Sequence, residues 1–279
     1  FPTRRSSDLS DTARMMWKEL VYISLLSVLI AYIEIAFFPE AVFLKNLTTV
    51  YSLLGFVISL LLVFRTNTAY DRWWEGRKAW GSVVNDTRSL SAKLSVLSIS
   101  NEQKVLLKEL ITMFVFAMKN HLRNKALESD PELPKYQNTF AIDGHQPLAI
   151  QQRLRSEIQI LLDSQIISHE IWLAIQKDID SLVGSLGACE RIKNTPIPFS
   201  YSLFIKKFIF IYVLTMPLAF VPLFGYFSAF ISTFVFYALV SMELLAEEIE
   251  DPFGSDENDL PTDQICITIH QNCQQIFGV

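Results

Sequence analysis

The sequence predicts an all-α membrane protein with four bilayer-crossing helices and a large helical domain in water, and three observations carry that prediction. Hydrophobic residues make up 51% of the 279 positions and charged residues only 19%, whereas an ordinary soluble domain is roughly a quarter charged. The apolar residues are gathered into long blocks with almost no charge. Between the second and third blocks runs a charged stretch whose apolar residues recur every three to four positions, the period of a helix with one buried face.

The first block, Val21 to Phe38, holds eighteen residues and one charge, Glu34; the second, Leu47 to Phe64, holds eighteen and none. Each is close to the ~20 residues that cross ~30 Å of hydrocarbon as a helix. The third block, Phe208 to Met242, has thirty-five uncharged residues, which as one helix would be ~52 Å long, too much for a single crossing. It is expected to fold back at Pro222-Leu-Phe-Gly225, where proline removes a donor and glycine accepts unusual dihedrals. The resulting segments are 1–20, 21–38 (span one), 47–64 (span two), 65–200 (helical domain), 201–222 (span three), 225–246 (span four) and 247–279 (acidic C-terminal segment).

Lys and Arg set the expected orientation. Arg14 and Lys18 precede span one, Arg65, Arg72, Arg77 and Lys78 follow span two, and Lys206 and Lys207 precede span three; the first outer loop has Lys45 alone. The positive-inside rule therefore places both termini and the 65–200 domain in the cytoplasm. In that domain Val105, Leu106, Leu110, Ile111, Phe114 and Met118, and again Leu154, Ile158, Leu161 and Leu162, mark two helices. A polar break from Asn124 to Pro147 separates them. Phe1 to Leu9 has no apolar period or signal-peptide core and reads as an assembly scar.

A net charge of −5 without a basic tract excludes a nucleic-acid partner. Cys189, Cys266 and Cys273 lack metal-ribbon spacing and read as reduced thiols. His121, His145, His169 and His270 form no HExxH pattern, and neither a nucleophile elbow nor a P-loop occurs, so an enzyme is not expected. Each histidine reads as a surface or core residue.

Phe56, Leu60 and Phe64 fall at i, i+4 and i+8 and line one stripe of span two. On periodicity alone this stripe reads as lipid contact or helix packing. Immediately after it, Asp71, Arg72, Trp73, Trp74 and Glu75 mix charge with interfacial aromatics, which reads either as anchoring or as an assembly contact lining a wet vestibule. Glu34 is an intramembrane carboxylate near the outer end of span one, open to a role in permeation or packing and to simple interfacial exposure. Glu247 to Asp259 holds seven carboxylates and no Lys or Arg, suited to a hard cation or to a solvated tail, though the EF-hand pattern fails.

The run Phe64-Arg-Thr-Asn-Thr-Ala-Tyr-Asp-Arg72-Trp73-Trp74-Glu75-Gly-Arg77 resembles the signature after the second span of bestrophins. Glu190 to Phe199 is similar to that family's approach to span three, and Glu250-Asp251-Pro252-Phe253-Gly254 to its loop after span four. The short chain is similar to the bacterial members, which would place it in a bacterial inner membrane. The resemblance implies a homopentameric ion channel with five copies of span two around an axial pore, Phe56, Leu60 and Phe64 as a hydrophobic neck, and Ile197 as a cytosolic aperture. It implies no required cofactor, with calcium as a ligand of Glu248, Asp251, Asp256 and Asp259. Permeant monovalent ions and the lipid bilayer are then its partners, and the acidic balance leans the expectation toward cations over chloride. A secondary transporter would show two similar halves with broken helices, and the halves here do not resemble each other.

Overall fold

The computed structural model describes residues 16–38, 42–131, 133 and 144–278, and among them regular structure is entirely helical. In chain order the helices are α1 (Trp17–Phe37), α2 (Val42–Ser95), α3 (Asn101–Leu122), α4 (Gln146–Asp163), α5 (His169–Asn194), α6 (Phe199–Thr215), α7 (Pro217–Phe224), α8 (Phe227–Glu250) and α9 (Thr262–Phe277). The expectations for Phe1 to Leu9, for Arg14 and for the Lys45 side chain lie outside the described residues. The chain divides into two compact units, and α2 contributes residues to both.

The first unit contains α1, the first part of α2, α6, α7 and α8. Four of its helical stretches are long and apolar enough to cross a membrane: Trp17–Phe37, the apolar part of Asn46–Ser95, Phe199–Phe224 and Phe227–Glu250. Its core is small, built from Ile23, Tyr51, Ile58, Ile209, Val213 and Phe236 among others. Large apolar side chains such as Leu25, Leu53, Phe210, Ile211, Phe230 and Phe234 stay exposed. A soluble protein rarely tolerates so much apolar surface, whereas lipid and neighbouring subunits cover it without cost.

The turn back toward α8 sits at Gly225, whose φ of +54° suits a residue without a side chain. Pro222, expected to share that turn, instead lies inside the short helix α7, and the apolar block breaks a second time at Met216, ahead of Pro217. Proline fits the first helical turn because the N–H it lacks is unpaired there. Helix α2 is held by Thr48 Oγ1 donating to Ala219 O at 3.0 Å and by Tyr212 Oη donating to Tyr51 O at 3.3 Å. Gly55 permits the second contact, since a Cβ there would stand 2.7 Å from the Tyr212 hydroxyl.

The second unit contains the rest of α2, then α3, α4, α5, residues 251–255 and α9. Helix α3 starts at a capping box, Gln103 N–H donating to Ser100 Oγ and Ser100 N–H to Gln103 Oε1, both 3.2 Å. From Leu110 to Leu122 it is buried almost all round, as a central helix must be. Around it pack Trp80, Leu90, Ile158, Ile179, Leu186 and Ile269. The C-terminal segment is no solvated tail: Phe253, Leu260, Cys266, Ile269, Cys273 and Phe277 are all buried. Its acids stand beside an apolar face of α9 that charge counting alone did not weigh. The three cysteines are buried free thiols, and burial raises all three, Cys189 to about 12, which disfavours their thiolates at neutral pH.

Candidate functional site

Within the first unit α2 has two faces. Tyr51, Ile58, Leu62, Arg65 and Ala69 share one stripe and are buried. Phe56, Leu60 and Phe64 occupy the opposite face and remain 66%, 44% and 56% exposed. One side of the helix is thus used by the chain's own core, and the other carries a row of large apolar groups the chain leaves uncovered.

Arg65 follows Phe64 in sequence but points to the buried side, with 1% of its side chain exposed. Its Nη2 meets Glu250 Oε2 at 2.6 Å, and its Nε lies 3.8 Å from Glu243 Oε2. The other Glu250 oxygen accepts the Ile197 N–H at 2.7 Å. One carboxylate therefore joins the guanidinium next to the apolar stripe to the backbone of the aperture candidate. Ile197 itself is half-buried. None of this was legible in the sequence, because 185 residues separate Arg65 from Glu250.

Glu34 is buried, with 6% exposed, and lies with Ile23, Ser27 and Ala31 on the inner face of α1. Within the chain its side chain packs inward. Ser228 and Ser232 form part of the buried face of α8, which packs on α1.

In the second unit the signature residues have local tasks. Arg72 donates to Ile192 O at 2.6 Å and Thr195 O at 2.5 Å, satisfying carbonyls at the C-terminal end of α5 that have no intrahelical partner. Glu75 pairs with Arg191. Trp73 packs against the core of this unit, whereas Trp74 is exposed. Asp71, in the first unit, is exposed.

The loop after α8 is held by protein cations. Arg123 Nε donates to Phe253 O at 3.2 Å and Gly254 O at 3.0 Å, while its Nη1 and Nη2 grip Asp263 at 2.8 and 2.9 Å. Lys119 Nζ adds bonds to Asp263 at 2.8 Å and Asp130 at 2.7 Å. Of the calcium candidates, Asp259 is buried, Asp251 and Asp256 are exposed and Glu248 is half-buried. The Phe253 and Gly254 carbonyls are thus already engaged by a guanidinium. Burial pushes the Asp263 carboxyl up, but the hydrogen bonds from Arg123 and Lys119 outweigh it and hold the group at about 2.

A carboxyl depressed in the folded state stabilises above its unfolded value and loses that contribution as pH falls through the folded one. The Asp263 side chain is 43% exposed, so solvent screening reduces the shift to about 1 kcal/mol. Asp263→Asn should lower the melting point of the detergent-solubilised protein at pH 7. Its gap from wild type should narrow between about pH 4 and pH 2, and a gap that stays constant through that window would disprove the linkage.

Sequence reasoning set His121 and His145 aside, yet both rings meet Glu190, a juxtaposition of α3, the N-cap of α4 and α5. Their separations of 24 and 45 residues carry no local signal.

Together these features define a helical membrane protein with a spanning unit of uncovered apolar helices and a second, tightly cored helical unit. A family model described as "Bacterial/Fungal Bestrophin protein" matches residues 9–275, and the chain belongs to this bestrophin family. Similar curated proteins include the voltage-dependent anion channel-forming protein alr2987 of Nostoc sp., 38% identical over 231 residues, 80% of this chain and 75% of that one. Another is the voltage-dependent anion channel-forming protein YneE of Escherichia coli K12, 29% identical over 238 residues, 81% and 75% of the two chains. Among solved structures, a bacterial bestrophin homologue from Klebsiella pneumoniae aligns with a TM-score of 0.83 at 28% identity, covering 94% of this chain and 98% of its own. The protein is a membrane ion channel and not an enzyme.

Proposed function

We propose that the chain assembles as a homopentamer in a bacterial inner membrane, both termini in the cytoplasm, and conducts monovalent ions passively along its five-fold axis. The observation that carries this reading is the uncovered stripe Phe56, Leu60, Phe64 on the face of α2 opposite the subunit's core. Five such stripes would make three apolar rings. A ring of this kind offers an ion nothing in place of its hydration shell, so it conducts when wetted and closes by dewetting. Ile197, tied to Arg65 through Glu250, would form the second constriction.

For the ion, the net charge of −5 supports cations, since carboxylate-rich vestibules concentrate them. A second reading, anion conduction, is favoured by the names of the curated relatives. Reversal potentials of the purified protein in planar bilayers under a tenfold salt gradient separate them. A shift toward the cation equilibrium potential is expected, and a shift toward that of chloride overturns the cation reading. Saturating flux coupled to a proton gradient, without unitary currents, would overturn the channel itself.

Calcium at Glu248, Asp251, Asp256 and Asp259 is a second part of this proposal. The Arg123 clamp constrains it, because the ion would have to find oxygens other than the Phe253 and Gly254 carbonyls. Currents that are the same in chelator and in calcium would remove it.

A further inference from the structure

We infer that His121, His145 and Glu190 form a binding site for a divalent transition metal of the zinc class, within the second unit and independent of the conduction reading. The three ligand atoms lie within 4.8 Å of one another. His121 Nε2 stands 2.8 Å and His145 Nε2 2.7 Å from the same oxygen, Glu190 Oε1. The ring centroids are 4.2 Å apart. Each ligand comes from a different helical element, so folding rather than local sequence brings them together.

The geometry needs little adjustment to take an ion. Tetrahedral zinc with bonds of ~2.0–2.1 Å holds neighbouring ligand atoms roughly 3.3 Å apart, so the Nε2 and Oε1 atoms have to separate by about half an ångström. Two imidazole nitrogens with one carboxylate oxygen select a borderline metal such as Zn²⁺ or Co²⁺ over Ca²⁺ or Mg²⁺, which take oxygen. The side chains are 35%, 34% and 27% exposed, so an ion can enter from water. Lys119 and Arg123, the nearest cations along α3, are engaged by Asp130 and Asp263 and do not compete for Glu190. Cys189, the sequence neighbour of Glu190, is fully buried in the core of the unit and supplies no ligand, which leaves the fourth position to water.

For His145 the proton count closes as well. His145 Nδ1 accepts a long bond of 3.4 Å from the Leu148 N–H, so in the metal-free cluster the ring proton sits on Nε2 and is donated to Glu190. Metal binding through Nε2 moves that proton to Nδ1 and releases Leu148 N–H, an amide in the first turn of α4 that water can satisfy. No net proton is lost from the ring. The cost is the two Nε2–Oε1 hydrogen bonds to Glu190 and the long bond from Leu148, set against three coordination bonds.

The test uses the full chain purified without a polyhistidine tag. Equilibrium dialysis against Zn²⁺ should give one ion per chain, and His121→Gln, His145→Gln and Glu190→Gln should each weaken it by at least about tenfold. Co²⁺ should give ligand-field absorption in the visible without a sulfur charge-transfer band. Absence of zinc from the wild type, or wild-type affinity in all three variants, would overturn the proposal. Should the variants fail to fold, the wild-type Co²⁺ spectrum decides: bands like those of the hexaaqua ion, or a thiolate band, would overturn it.

Discussion

Arg65→Met is expected to destabilise the protein by about 3–5 kcal/mol, because it leaves the buried Glu243 and the half-buried Glu250 without the guanidinium they share. The wild-type guanidinium is 1% exposed and stands between Glu250 at 2.6 Å and Glu243 at 3.8 Å. Replacing the whole cluster by neutral groups costs far less than removing one member, so Arg65→Met combined with Glu243→Gln and Glu250→Gln should recover much of the loss. Arg65→Lys should recover only part, since the ammonium keeps the charge but lacks the planar fork whose Nη2 meets Glu250 while Nε faces Glu243. Thermal melts of the detergent-solubilised protein, followed by size-exclusion profile, measure each step. A loss of less than about 1 kcal/mol for Arg65→Met would show that the buried pair has no such role.

The contrast between Arg65 and its neighbour Phe64 shows what the sequence could and could not convey. Block length and charge asymmetry are local properties, and they located the apolar stretches that become α1, α2 and α6 to α8. Periodicity identified the buried faces of α3 and α4, because Leu110, Ile111, Phe114, Leu154 and Ile158 are spaced as a helix demands. Nothing local says that Arg65 turns inward while Phe64 turns outward, since that depends on where Glu250 arrives. For the same reason the sequence did not show that Arg123, 130 residues earlier, donates to the Phe253 carbonyl in the loop after α8. The pairing of His121 with His145 across a polar break, and of both with Glu190, belongs to the same class of long-range fact. Only the resemblance in the Arg72-Trp73-Trp74 and Asp251-Pro252-Phe253-Gly254 runs carried such information, and it carried it for the family as a whole.

Replacing Phe56, Leu60 and Phe64 together by alanine should raise macroscopic current by about tenfold or more, since 1.4 kcal/mol removed from a dewetting barrier is already a factor of ten. The same substitution should change the stability of the isolated fold little, by about 0.5 kcal/mol per site, because the three side chains are exposed within the chain and leave no internal cavity. That separation gives the experiment its force: a tenfold gain of current with so small a stability change cannot come from loosened packing. If the stripe faces acyl chains instead, the shortened side chains alter only lipid contact, and planar-bilayer currents at matched protein load should equal those of wild type. An Ile197→Ala variant supplies the comparison at the other constriction. Its backbone N–H bond to Glu250 survives the substitution, so any rise in current there would report aperture width and not a broken latch.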